Sequence, residues 1–261
     1  MRRAIIADIA ANLIALEAVL ADCRKQAVDE IVCLGGIVGY GPDPAACVDR
    51  VHETCAWVLI GRPELAVIDC DGLKDFGGYF RTVFEWHRSL LMPRSPDDSV
   101  TQMRWEWLKE QRNMRVENAV TYAYATPRNP IDEPVTPTDF IRFKGEYPMV
   151  ALDNFALIES LFFGANTHRP FVCVFGQDSI KPSQLNNMTY LHDPSSKAFI
   201  NIGSVGQPRD CNPDSCYVIY DSIRKTIQFR RVSYDISAAI TRFKQHPEIN
   251  EQFWKRLEKG L

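Results

Sequence analysis

The chain has 261 residues, 46% of them hydrophobic, with 30 basic and 33 acidic side chains and a formal net charge of −3. That is enough apolar material for a substantial core, read as a single domain over residues 1–261. The slightly acidic balance argues against a broadly nucleic-acid-binding surface, and no stretch approaches the roughly 20 apolar residues of a membrane span.

After Arg2 and Arg3 comes Ala4-Ile5-Ile6-Ala7, too short an apolar run for a secretory signal, so the cytoplasm is the expected compartment. Ala4–Ala7 reads as a first strand. Apolar residues at 13, 14, 17, 20 and 21 have helical spacing, with Asn12 as cap. Glu30–Leu34 is the second strand, Pro44 starts a helix through Val51, and Ala56–Ile60 is the third strand. Apolar strands between amphipathic helices predict a mostly parallel sheet with its site at the strands' C-terminal ends, where Asp8, Gly36 and Arg62 fall.

Residues 76–112 read as helical and aromatic-rich, with Trp86, Trp105 and Trp107 assigned to packing. Ala119–Ala125 is a strand, and residues 126–148 form a Pro-rich loop able to cover the site. A helix is expected over Ala151–Leu161, strands at Phe171–Phe175 and Phe199–Ile202, and a polar loop over Asn186–Ser196. Cys216–Asp221 and Thr226–Val232 form a hairpin, and helices near 236–245 and 249–259 follow. Alternating α/β followed by antiparallel strands suggests two sheets packed face to face.

Eight cysteines, at 23, 33, 47, 55, 70, 173, 211 and 216, contain no Cys-x-x-Cys pair. Cys33, Cys55 and Cys173 sit in apolar runs as small hydrophobes; only Cys211 and Cys216 are close enough to raise a redox question.

Five short segments share the order and spacing of a two-metal phosphoesterase site: Asp8-Ile9-Ala10, Gly35-Gly36-Ile37-Val38-Gly39, Gly61-Arg62-Pro63-Glu64, Tyr124-Ala125-Thr126-Pro127 and Ala165-Asn166-Thr167-His168. With Val32–Pro44 and Asn201–Asp210, they make the chain resemble the calcineurin-like metallophosphoesterase family over essentially its whole length, especially its small bacterial and archaeal phosphodiesterase-like branch. The resemblance implies a four-layer αββα sandwich, with two mixed sheets flanked by helices and the 126–148 loop near the site. It also implies two divalent ions that clamp a phosphate and generate a hydroxide.

Carried over residue by residue, the resemblance leaves Asp8 and His168 as remnants of the first metal site. Ala10 stands where a histidine belongs, and Gly36 where the bridging aspartate belongs. Arg62, Tyr124 and Asn166 stand at the remaining ligand positions, and Pro63 at the general-acid histidine. One carboxylate and one imidazole hold a divalent ion poorly, and Arg62 opposes a cation. The expected function is therefore a catalytically degenerate binder of a phosphorylated small molecule or nucleotide, or a regulatory or structural subunit. In that role it would act as a homo-oligomer or beside an active relative, with no resident cofactor. The alternative is a residual phosphoesterase using one weakly bound Mn, Fe, Ni or Zn ion at Asp8 and His168.

Arg62, Arg128, Arg169 and Arg209 are the candidate anion-binding residues. Arg62 is expected to reach Asp8 or Glu64 as a replacement counter-charge. His168 is expected to hydrogen-bond to Asp8 or to backbone, while Tyr124 and Asn166 line the pocket. The plainer alternative for Asp8 is a strand-end carboxylate that caps the following helix through its dipole. Asp132, Glu133 and Asp139 are the loop carboxylates available to replace a lost ligand. The glycine run at 35–41 follows the second strand and lacks a Gly-Lys-Ser/Thr, so it is read as a turn needing positive φ.

Overall fold

The computed structural model describes residues 1–69, 71–177, 180 and 184–261; Cys70 lies outside them. Parallel strands β1 (Arg2–Ile6), β2 (Glu30–Cys33) and β3 (Trp57–Val58) are connected by α1 (Leu13–Lys25) and α2 (Pro44–Thr54). The Asn12 side chain caps α1 by accepting from the Ala15 N–H at 3.2 Å. Pro44 opens α2, where its missing N–H has no partner to lose. Three helices follow, α3 (Arg62–Ile68), α4 (Gly78–Leu91) and α5 (Ser99–Lys109).

Then come β4 (Met114–Glu117), β5 (Val120–Ala123), α6 (Met149–Ala156), β6 (Leu161–Gly164), β7 (Phe171–Val174), β8 (Thr189–Leu191) and β9 (Ala198–Asn201). The hairpin of β10 (Ser215–Asp221) and β11 (Thr226–Val232) precedes α7 (Ile236–Phe243) and α8 (Glu251–Lys255). One sheet has the order β3-β2-β1-β10-β11-β8 and the other β4-β5-β6-β9-β7. Both are mixed: β1 pairs parallel with β2 and antiparallel with β10, while β9 pairs parallel with β6 and antiparallel with β7.

Strand alternation sorts the core into layers. Along β1, Ala4 and Ile6 face α1 and α2, whereas Ile5 packs with Tyr122, Phe163, Ile200 and Val218 between the sheets. On the outer face of the second sheet, Phe162, Phe171 and Phe199 pack against Phe155 of α6 and Phe140. Helices, sheet, sheet, helix is the expected four-layer order.

Four sequence expectations change. The 186–196 segment contains an edge strand, β8, whose three residues pair with Thr226–Gln228 and are too few to show an alternation. The helix expected to reach Leu161 ends at Ala156, and Leu161–Gly164 is a fully buried strand. An apolar run of four residues has no periodicity to tell strand from helix. The third strand shrinks to Trp57–Val58, and β4, with its exposed and half-buried residues, was not foreseen.

All described cysteines are free thiols, with Cys211 exposed and Cys216 buried. Cys55 is half-buried just beyond α2 rather than inside a strand. Among the described residues, no helix is long and apolar enough to cross a membrane.

Candidate functional site

β1 and β2 end side by side, and the two turns that follow them are laced together. The N–H groups of Asp8, Ala10 and Ala11 donate to the carbonyls of Gly35, Gly36 and Ile37 at 3.0, 2.8 and 2.8 Å. These bonds hold Asp8, Ala10 and Ala11 in the left-handed region, at φ of 50°, 54° and 52°. Asn166 and His168, after β6, share that conformation at 67° and 59°. Asp, Asn and His enter this region more readily than other side chains, but Ala10 and Ala11 do so only under constraint.

The 35–41 loop is held from its other side by two buried groups. Glu64, opening α3, accepts the N–H groups of Gly36, Ile37, Val38 and Gly61 at 3.0, 2.6, 3.1 and 2.9 Å. Burial raises its carboxyl above the usual range while these four donors pull it back. His87 on α4 accepts the Gly39 N–H on Nδ1 at 3.0 Å and donates from Nε2 to the Gly41 carbonyl at 2.8 Å. That pairing fixes a neutral imidazole, and burial lowers its pKa to about 4. Gly35, Gly36 and Gly39 all have positive φ, as the sequence reading required.

These turns enclose a cavity of about 250 Å³. On its floor Asp8, 1% exposed, accepts the Tyr124 hydroxyl on Oδ1 at 2.8 Å, and its Oδ2 has no hydrogen-bond partner. Burial, helped by the nearby Glu64, pushes its carboxyl up to about 7, against the pull of Tyr124, Arg209 and the Asn166 backbone. The His168 Nε2 lies 3.7 Å from Asp8 Oδ1. This is a contact rather than an ion pair, because burial and Arg209 hold His168 well below the usual histidine range. Its Nδ1 meets the Gln207 carbonyl at 3.0 Å and Ser204 Oγ at 3.2 Å, so the backbone partner is the one realised. Asp8 caps no helix; that role is Asn12's.

Of the four candidate arginines, Arg62 and Arg209 line the cavity. Arg128 pairs instead with Glu133 and Asp153, and Arg169 donates to the Arg209 carbonyl. Arg62 does not pair with Asp8 or Glu64: its Nη1 meets Asp132 at 2.7 Å, and its guanidinium lies 4.5 Å from the centroid of Phe76. Solvent at the mouth makes that pairing cheaper than desolvating the guanidinium on the floor. Glu133 binds Arg128, Thr126 and Asn154, and Asp139 caps the turn at Thr136, so Asp132 alone of the three loop acids comes to the cavity's edge. The opposite wall is Pro63, Phe76, Phe80 and Phe84, with the Phe84 ring lying over Gly39. Sequence reasoning missed His87, Gln207 and these phenylalanines as parts of the site, and placed Glu64 there without its role of holding the loop; the helical spacing of Phe80, Phe84 and His87 was the available signal.

No family model matches the sequence. An uncharacterised protein of Methanocaldococcus jannaschii is 31% identical over 241 residues, which span 90% of this chain and 89% of that protein. A metallophosphoesterase from Sphaerobacter thermophilus aligns over 100% of this chain and 99% of its own, with a TM-score of 0.81 and 28% identity. The chain belongs to the calcineurin-like metallophosphoesterase family. A hypothetical protein from Pyrococcus horikoshii, 18% identical, shares the fold at a TM-score of 0.70 over 100% of this chain and 98% of its own.

The residues expected at ligand positions, Asp8, Ala10, Gly36, Arg62, Tyr124, Asn166 and His168, all line the cavity, as does Pro63. Among the described residues, no group of three or more His, Cys, Asp or Glu side chains is placed to hold a metal. Asp8 and His168 are two donors where a divalent ion wants three or four, and the Arg209 charge falls on both. That set does not fit the family's pair of ions.

Proposed function

We propose that this metallophosphoesterase-fold chain binds a phosphorylated small molecule without hydrolysing it, as a binding or regulatory subunit. The observation that carries the reading is the position of Gly36. A Cβ added there would meet Asp8 Oδ1 at 2.6 Å and the Asp8 Cα at 2.8 Å, so the bridging carboxylate has no room beside Asp8. Pro63 at the general-acid position cannot exchange a proton. Arg209 puts a permanent positive charge beside Asp8 and His168, and Arg62 puts another at the mouth, which suits an anionic ligand. The free thiols support a reducing compartment such as the cytoplasm.

Elemental analysis of the purified chain and a generic phosphodiester assay with manganese test this. The expected result is no turnover above blank, with melting shifted upward by nucleotide or phosphate. Two bound manganese ions, with turnover lost on altering Asp8, would overturn it.

A second reading, a residual metal-dependent phosphoesterase, draws on the open Asp8 Oδ2 beside a neutral His168. Those two residues would hold a single ion, which would supply Lewis acidity. Stoichiometric binding of one manganese with turnover favours it over the first.

A further inference from the structure

Two residues that line the cavity each keep a buried polar atom without a hydrogen-bond partner, and the two atoms are of opposite kind. Asp8 has one oxygen bound to Tyr124, while Oδ2 has no partner. Arg209 has Nη2 bound to the Gln207 side-chain oxygen at 2.7 Å, while its buried Nε has no partner. Each feels the charge of the other, yet among the described residues no ion pair joins them. An unpartnered acceptor and an unpartnered donor therefore belong to two residues that line one cavity.

The charge around that cavity decides what can fill it. Asp8 lines the floor, and the buried Glu64 behind it adds a second acidic group whose charge Asp8 feels. A dianionic phosphate beside them would be repelled in a poorly solvated place, with one guanidinium to offset it. At the mouth the balance reverses. Arg62 is about a third exposed and its partner Asp132 nearly half exposed, so exchanging Asp132 for a phosphate needs little desolvation. Between floor and mouth stand Phe76, Phe80 and Phe84, a wall for a flat ring.

We propose that the floor takes the edge of a neutral lactam ring, its N–H donating to Asp8 Oδ2 and its C=O accepting from Arg209. The phosphate of the same ligand then lies outward at Arg62. Such an edge occurs in hypoxanthine, guanine and uracil. This inverts the orientation in which a phosphate sits at the strand ends, and it rests on the reading of the pocket as a site for a phosphorylated small molecule.

Inosine and adenosine test it, because they match in size and differ at this edge. Calorimetry on the full chain should give inosine at least about ten-fold tighter than adenosine, since a floor built for N–H and C=O leaves both groups unpaired against adenine. Inosine monophosphate should bind more tightly than inosine, and Arg62→Ala should erase that gain while sparing inosine. Asp8→Asn, whose amide can donate to adenine, should lower the inosine-to-adenosine ratio by about ten-fold. A ratio is unaffected by a general loss of folded protein. Equal binding of inosine and adenosine, or an unchanged ratio in Asp8→Asn, overturns the proposal. Inorganic phosphate binding that is lost in Arg209→Met and kept in Arg62→Ala also overturns it, and leaves the phosphate-binding reading standing. If neither inosine monophosphate nor phosphate binds at millimolar concentration, both fall.

Discussion

Gly36 and Asp8 are in mutual exclusion: a single carbon added to Gly36 would sit 2.6 Å from Asp8 Oδ1, on a backbone at φ +71°. Steric overlap and left-handed strain act together there. Gly36→Ala should therefore cost about 2–4 kcal/mol. Differential scanning calorimetry should show a melting point roughly 5–10 °C lower. A variant melting with the parent would mean that the two turns can part, and would reopen the case for a carboxylate at position 36.

Asp8 makes stability depend on pH. Its folded pKa, about 7, lies above the roughly 3.9 of an unfolded aspartate, so the folded state holds the extra proton between these values. Its contribution is fully present below about pH 4 and is lost as pH rises through about 7. The loss is at most on the order of 4 kcal/mol. Asp8→Asn should thus melt higher than the parent at pH 8 and close to it at pH 4. Paired denaturation curves at the two pH values measure this, and a difference that does not grow with pH removes the buried-carboxylate account.

His87 works in the opposite direction. Its folded pKa, about 4, lies below the roughly 6.5 of a free histidine. Its stabilisation is full above about pH 6.5 and is lost as pH falls toward 4, by on the order of 3 kcal/mol. His87→Gln should flatten the acid side of the stability curve relative to the parent. It should also lower stability at pH 7 by about 1–3 kcal/mol, because the Gly39 N–H and Gly41 carbonyl are buried. Urea midpoints across pH 4–7 give both readings.

The fold was legible because its signals are local and strong: apolar strands at fixed intervals, Asn12 and Pro44 as helix starts, and the motif order. What was not legible depended on partners distant in sequence. Leu161 reads as the end of a helix, with Phe162–Gly164 unassigned, until β5 and β9 flank them, and Thr189–Leu191 reads as loop until β11 supplies a ladder. At the site, the spacing brought Asp8, Gly36, Tyr124, Asn166 and His168 to one cavity. It gave no hint that Glu64 would turn away from the cavity to gather four backbone N–H groups. It also failed to separate Arg209 from Arg128 and Arg169, because a long flexible side chain takes its direction from neighbours that composition does not reveal.

Arg62 shows the cost of reading a charge from its position. Paired with Asp132 at the mouth, both groups partly solvated, it should contribute less than about 1 kcal/mol to stability. Arg62→Ala should therefore melt within about 3 °C of the parent. A large drop would place its partner on the floor after all.

The crossed amide ladder between residues 8–11 and 35–37 has a wider consequence. Contour here is stored in the main chain, whose bonds are indifferent to side-chain identity. Away from the glycines that these turns demand, the lining of a hollow held in this way can be rewritten without closing it, so one occupant can give way to another on the same scaffold.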